Sequence, residues 1–416
     1  MAGNDRADLL FLRVRAQLEQ CATVSEPEAS PASLPWIRRL IGFDTVSRNS
    51  NLGLIETVRD HLAGAGFAIS LTYDRDKAKA NLFATLPAAN GAETGGLVLS
   101  GHTDVVPVDG QDWSSDPFAA DVRDGRLYGR GSADMKGFIG AALSLVPYMQ
   151  ARPLRAPIHL ALSFDEELGC AGAPLMIDDL VARGVAPEGC IVGEPTGMKV
   201  VTGHKGAGCW RCRVVGRAAH ASLPTHGVNA IAYAARLIDF IHGAADRFRG
   251  QGPFDADFDT PFSTAQVGTI QGGVATNTVP ALCEFVFEHR TLPGLDPDIL
   301  FGDVERFARQ VLLPEMRVGA EEADISFERL AGFPGLAPDE AADVVKLARA
   351  LTGDMETHKV AFGAEAGLFQ KAGTSSLICG PGHISEAHKA DEYVALDQLA
   401  ACEAFLAQAI DHMRAQ

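Results

Sequence analysis

Between residues 33 and 198 the apolar positions switch repeatedly between helical and strand spacing. PWIRRLIGF (35–43) and NLGLIETVRDHLAGAGF (51–67) place apolar side chains three and four apart, which predicts two helices, the second closing at Gly64 and Gly66. The unbroken apolar runs GLVLSGH (96–102), APIHLALSF (156–164) and GCIVGE (189–194) predict strands buried on both faces. MKGFIGAALSLVPYMQAR (135–152) and APLMIDDLVARG (173–184) predict the helices between them. This alternation predicts an α/β fold with a mixed, mostly parallel sheet flanked by helices.

The texture changes over 199–315. KVVTGHKGAGCWRCRVVGRA, STAQVGTIQGG and VPALCEFVFEHRTLPG read as strands, with helices at GVNAIAYAARLIDFIHGAAD and DPDILFGDVERFARQVLL. The order strand–helix–strand–strand–helix predicts a small α+β sandwich inserted into the larger domain. The larger domain is then built from residues 1–198 and 316–416. A chain of 416 residues is long enough for two such cores. Residues 1–32 read as an extension, a short amphipathic helix followed by a Pro/Ser connector, SEPEASPAS. Asp5, Arg6 and Asp8 precede its apolar run and Arg13 and Arg15 interrupt it, which is not the order of a signal peptide.

Hydrophobic residues make up 47% and charged residues 21%, as in an ordinary globular protein, and no apolar run is long enough to cross a membrane. A net charge of −17 argues against nucleic acid or an anionic membrane as partner. The eight cysteines are scattered through apolar contexts, which points to a reducing cytoplasm. CWRC (209–212) matches a Cys-x-x-Cys spacing. No second pair completes a zinc ribbon, however, and on a strand residues three apart face opposite sides, so the stretch reads as plain strand.

Candidate chemistry lies where the strands end. His102 closes GLVLSGH, with Asp104 two residues on; Asp165, Glu166 and Glu167 follow APIHLALSF; Glu194 follows GCIVG. Asp134 sits in the glycine-flanked turn GRGSADMKG before a helix, and His388 lies in GPGHISEAHKADEYV. Any one of these fits a polar turn in solvent. All five fall where open α/β sheets bind ligands, outside the carboxyl ends of strands. Two histidines with several carboxylates and no thiolate suit Zn²⁺, Co²⁺ or Mn²⁺. A carboxylate shared between two such ions would give a dinuclear centre. Neighbouring residues on extended chain point to opposite sides, so Glu166 and Glu167 can take different roles.

SGHTDVVPV, GRGSADMKG, DEELG, GEPT and EAHKADEYV, in this order, resemble the motifs of the dizinc amidohydrolase and exopeptidase family. That family holds acetylornithine deacetylase, succinyl-diaminopimelate desuccinylase, the aminoacylases and glutamate carboxypeptidase. The likeness runs from about residue 33 to the end. GEPTGMKVVTGHKG and GPGHISEAHKADEYV look most like the acetylornithine deacetylase branch. The resemblance implies a zinc exopeptidase-like catalytic domain whose inserted domain serves as lid and dimerisation surface. It also implies two Zn²⁺ ions, with Co²⁺ or Mn²⁺ as substitutes. One ion would be held by His102, Asp134 and Glu194, and the other by His388, Asp134 and Glu167, with Asp134 bridging. It further implies a cis Asp134–Met135 peptide bond.

By the same resemblance Glu166 is the general base and Asp104 orients His102. His220, in RAAHASLPTHG, stabilises the tetrahedral oxyanion, acting on the site of the partner subunit in a homodimer. Asn277 and Arg290 resemble the family's contacts to the substrate carboxylate. Arg is the natural bidentate partner of that group, although a surface ion pair would use it equally well. Glu365, in the glycine-containing stretch AFGAEAG, is placed to read a substrate ammonium or else to stand solvated on a loop. The expected substrate is a small N-acyl amino acid, N-acetylornithine foremost, with other N-acyl-amino-acid hydrolases and dipeptidases as alternatives.

Overall fold

The computed structural model describes residues 30–415, so the expected N-terminal helix and most of the Pro/Ser connector lie outside the described residues. The chain divides into two compact units. One contains the residues up to Thr202, Asp339–His358 and the chain from Ala364 onward; the other contains Gly203–Pro338 and Lys359–Gly363.

The largest sheet has eight strands, six of them wholly within the first unit. Its order is Ala68–Tyr73, Ala80–Leu86, Ile158–Ser163, Leu97–His102, Gly189–Val192, Ser375–Ile378, Val201–His204, His358–Val360. The four strands from Ile158–Ser163 to Ser375–Ile378 run parallel, and antiparallel pairings flank them. The parallel strands Leu97–His102, Ile158–Ser163 and Gly189–Val192 are buried at every position, which is why they read as continuous apolar runs. Ala68–Tyr73 is half-buried and mixed in character, so no alternation marks it as a strand.

The helix expected over 135–152 is two helices, Lys136–Ser144 and Val146–Gln150. Pro147 lacks an N–H and cannot continue the first. Nearly all of Lys136–Ser144 is buried, as its apolar composition all around the axis requires. Its Phe138 and Ile139 pack with Leu97, Leu99, Leu160 and Ile191 in the core beneath the strand ends.

The second unit has a four-stranded antiparallel sheet in the order Thr264–Gly272, Leu282–Thr291, Gly206–Val215, Asp324–Phe333. Cys283, Phe285, Phe287, His289 and Thr291 alternate inward along Leu282–Thr291. Trp210 stacks between Phe287 and Phe301, at 5.5 and 5.1 Å between ring centroids. The helices Ala230–Gln251 and Ile299–Phe307 supply Leu237, Ile241, Leu300 and Val304 to the same core.

The unit runs past the expected limit of 315 because Asp324–Phe333 is the fourth strand of this sheet. Its apolar alternation is broken by a bulge between Arg329 and Ala331, which hides it from a period-two reading. In the stretch CWRC, Cys212 is buried and Cys209 lies on the opposite, partly exposed side. Among the described residues neither belongs to a grouping able to hold a metal, and no helix is long and apolar enough to cross a membrane.

Candidate metal centre

Adjacent strands bring the site residues of the first unit to one edge of its sheet. His102 ends its strand opposite Ser163, and beyond Ser163 the chain turns through Asp165, at φ 55°, into Glu166 and Glu167. Gly193 follows Val192, and its N–H donates to the Ser100 carbonyl at 3.0 Å, which sets Glu194 beside His102. A Cβ at residue 193 would lie 1.9 Å from Cγ of Phe138, so only glycine lets this strand end rest on the helix below. Asp134 stands two residues ahead of that helix, and the Asp134–Met135 peptide bond is cis. His388, at φ 64°, comes from the turn after Ile384–Glu386.

The two oxygens of Asp134 face different histidines. His102 Nε2 lies 2.9 Å from Oδ1, and His388 Nε2 lies 3.1 Å from Oδ2. Glu167 Oε2 is also 3.1 Å from His388 Nε2, and Glu194 Oε1 is 3.8 Å from His102 Nε2. His102, Asp134 and Glu194 are buried, and His388 stands half open.

Two three-residue groupings bring their ligand atoms within 4.8 Å of one another: His102, Asp134 and Glu167, and His102, Glu166 and Glu194. Distance alone therefore leaves both adjacent glutamates within reach of an ion. The Glu166 carboxylate accepts the Cys170 thiol at 3.2 Å and groups with His102 and Glu194, whereas that of Glu167 faces His388.

The site gathers several carboxylates around two imidazoles. Burial, with Glu167, Glu365 and Asp134 nearby, pushes the Glu166 carboxyl up to about 8. Burial and the charge of Asp134 raise Glu167 and, more strongly, Glu194. Burial opposes the Asp134 carboxylate too, yet hydrogen bonds from His102 and His388 hold its carboxyl below the ordinary range. Hydrogen bonds to Asp134 and Glu167 lift His388 to about 10. The imidazoles and the carboxylates thus face one another across the places where a divalent ion would neutralise the carboxylates. Two imidazoles, several carboxylates and no thiolate ligand fit a hard to borderline divalent cation.

Asp104 sits in this network in a way the sequence reading did not anticipate. The Nδ1–H of His102 donates to the backbone oxygen of Asp104 at 2.9 Å, while the carboxylate stands 3.6 Å away. The carboxylate instead accepts the N–H of Glu166 at 3.1 Å, that of Glu167 at 3.3 Å and the Ser47 hydroxyl at 2.7 Å. One residue therefore orients the histidine through its main chain and the two glutamates through its side chain.

Glu365 is not on an open loop. It is 1% exposed and its carboxylate accepts the hydroxyls of Ser163 and Ser100, the latter at 3.3 Å. The expected ammonium contact would need this carboxylate turned away from both serines.

In the second unit His220 and Asn277 come together on a two-stranded ribbon. His220 pairs with Thr278, and Ala221 N–H donates to the Asn277 carbonyl at 2.9 Å; both residues are exposed. Ser222 engages His220 Nδ1 twice, its N–H donating at 3.2 Å and its hydroxyl oxygen lying 2.7 Å away. Arg290, on Leu282–Thr291, is engaged by Glu288 in a two-pronged pair at 3.1 and 3.0 Å.

Two participants went unassigned in the sequence. Glu392 is fully buried and accepts the N–H groups of Ala133 and Asp134, and Arg130 is its ion-pair partner. Both lie inside the quoted motifs EAHKADEYV and GRGSADMKG. Their charge among buried neighbours was the available signal, and it shows only once the neighbours are known to be buried.

The sequence pattern of peptidase family M20/M25/M40 matches residues 98–412. An acetylornithine deacetylase from Myxococcus xanthus is 35% identical over 387 residues, covering 92% of this chain and 97% of that one. Among solved structures, an M20 family metallo-carboxypeptidase from Sulfolobus solfataricus has a TM-score of 0.70 at 18% identity, covering 91% of this chain and 98% of its own. A dinuclear metal-binding peptidase of the M20 family from Bacillus subtilis has a TM-score of 0.59 at 15% identity, covering 92% and 97%. At these identities the solved structures speak to the fold alone.

Proposed function

We propose, on the premise that the chain belongs to peptidase family M20/M25/M40, that it is a dinuclear metal amidohydrolase cleaving N-acyl amino acids, N-acetylornithine foremost. The observation that carries this reading is the pair of histidines on opposite oxygens of one buried aspartate. His102, Asp134 and Glu194 would hold one cation and His388, Asp134 and Glu167 the other. Zn²⁺ is the favoured ion, with Co²⁺ or Mn²⁺ as substitutes. When bound, the ions supply Lewis acidity at the acyl carbonyl and lower the pKa of water.

The protein's own residues do the rest. Glu166 takes a proton from the attacking water, whose oxygen adds to the acyl carbon. The C–N bond then breaks, and Glu166 returns the proton to the leaving α-amine. The products are a carboxylic acid and a free amino acid. His220 offers its Nε2–H to the developing oxyanion, with Nδ1 already engaged by the Ser222 N–H. Asn277 and Arg290 contact the substrate carboxylate, for which Arg290 must exchange Glu288 for the ligand.

The second unit acts as lid and dimerisation surface. Among the described residues the strand Thr264–Gly272 lies at an edge of its sheet, with Ile270 57% exposed and Val274, just beyond, 89% exposed. A homodimer through this edge would cover both. Free cysteines in apolar surroundings fit a cytoplasmic enzyme of amino-acid biosynthesis, with arginine the end product the favoured substrate implies.

The test is a kcat/KM panel of N-acetylornithine, N-succinyl-diaminopimelate, N-acetylmethionine and a dipeptide, with and without chelator. N-acetylornithine is expected to lead, and chelation to abolish turnover of all four. Chelator-resistant hydrolysis, or a dipeptide in the lead, would overturn the reading.

The same panel settles Glu365. Its carboxylate works through Ser100 and Ser163 beneath the strand ends. Glu365→Gln is therefore expected to lower kcat/KM roughly tenfold on N-acetylornithine and N-acetylmethionine alike, as loss of a buried charged hydrogen bond would. A loss confined to N-acetylornithine would return Glu365 to the role of reading a cationic side chain.

A further inference from the structure

We propose that Glu392, acting through Arg130 and Gln111, is a positioning residue that sets the spacing between Asp134 and His388. It would thereby govern the affinity of the His388–Asp134–Glu167 set for its cation. The proposal rests on the metal reading above and concerns residues that touch neither ion nor substrate.

Four donors converge on the Glu392 carboxylate. Oε1 accepts the N–H of Ala133 at 2.9 Å and of Asp134 at 3.1 Å. Oε2 accepts the N–H of Gly131 at 3.1 Å and Nη1 of Arg130 at 2.7 Å. The Glu392 carbonyl also accepts the Gly129 N–H at 2.9 Å. One side chain thus grips the turn that presents Asp134 at three of its amides.

The same side chain stands four residues from His388, and a second path closes the loop between them. Arg130 Nη2 donates to the Gln111 side-chain oxygen, and Gln111 Nε2 donates to the His388 carbonyl at 2.9 Å. Trp113 supports this path, since its Nε1–H also donates to the Gln111 oxygen at 3.1 Å and the Arg130 guanidinium lies 5.1 Å from its ring. The turn bearing Asp134 and the segment bearing His388 are therefore tied at both ends.

Glu392 and Arg130 are each 1% exposed or less. Removing two charges from water is costly, and a buried pair often contributes less stability than apolar residues of the same volume. What this pair adds is direction: a carboxylate and a planar fork admit one arrangement of the two ligand segments. His388 has a left-handed backbone and a half-exposed side chain, so its distance from Asp134 depends on the contacts of its own segment, of which this tie is one.

The experiment titrates metal-free protein with Co²⁺, reading stoichiometry and affinity by visible absorption and calorimetry, with the melting temperature of each apo-protein as control. Wild-type protein is expected to take two ions. In Glu392→Gln an amide NH₂ would face the Gly131 N–H and the Arg130 guanidinium, donors against donors. Its second-site affinity is expected to fall tenfold or more, with the first site much less affected, a range set by the loss of groups that orient metal ligands. Gln111→Ala leaves the buried pair in place. It is expected to weaken the second site a few-fold at unchanged apo-protein melting temperature.

Arg130→Lys, which keeps the charge and loses the fork, should behave like Gln111→Ala. Wild-type protein that takes up no Co²⁺ would overturn the metal reading and this proposal together. Two ions in wild type with unchanged second-site affinity in Glu392→Gln, or in Gln111→Ala if the former does not fold, would overturn this proposal alone.

Discussion

Glu166→Ala is expected to keep both metal ions and lose about 10³-fold or more in kcat, while Glu167→Ala is expected to lose an ion. The two residues are neighbours, both fall within reach of the cluster, and only their partners separate them. Glu167 is fixed by His388 at 3.1 Å, so its removal takes a ligand from the second ion. The Glu166 carboxylate accepts the Cys170 thiol, and its carboxyl, lifted by burial, is suited to taking and returning a proton. Loss of a positioned general base removes about 10²–10⁴ in rate, and the upper part of that range applies where one group serves both proton transfers. Elemental analysis beside steady-state kinetics decides the matter. An ion lost from Glu166→Ala and retained in Glu167→Ala would reverse the roles.

Mixing two inactive variants is expected to restore about a quarter of wild-type activity. The variants are Glu166→Ala and His220→Ala, combined under conditions of subunit exchange. His220 belongs to the second unit, whereas every proposed metal ligand belongs to the first. A twofold dimer that lends His220 to the partner's centre would give each hybrid one intact site out of two, and random pairing makes half the dimers hybrid. The exposed ribbon carrying His220 and Asn277, and the uncovered edge strand, are the features that motivate this arrangement. Labelled subunits would verify exchange. Exchange without recovered activity would place His220 in its own chain's chemistry, or outside the chemistry altogether.

The parallel strands and their polar ends were readable from the letters because burial on both faces leaves an unbroken apolar run, and a charged residue at its end then stands out. That is how His102, Glu166, Glu167 and Glu194 were found. Asp134 and His388 follow no such run; a glycine-flanked turn and a late histidine marked them as candidates, and the family resemblance supplied their roles. Other features depend on contacts between distant parts of the chain and leave no local pattern. Glu365 reads as a loop residue until Ser100 and Ser163, more than two hundred positions away, close over it. Asp104 reads as a carboxylate for His102, and only the fold shows that its main-chain oxygen does that work. The strand Asp324–Phe333 was missed because a bulge shifts its period midway. Glu392 is the extreme case, a charge whose four partners all lie some 260 residues earlier.

The place of Ser375–Ile378 in the first sheet bears on the order of events at the ribosome. This strand, from the last part of the chain, lies between Gly189–Val192 and Val201–His204. Until it emerges, Gly189–Val192 presents an open edge, and neither His388 nor Glu392 yet exists. The whole of the second unit, Gly203–Pro338 and Lys359–Gly363, is by then already synthesised. Translation therefore allows the inserted unit to fold before the metal centre, whose five proposed ligands can meet only once His388 has been made.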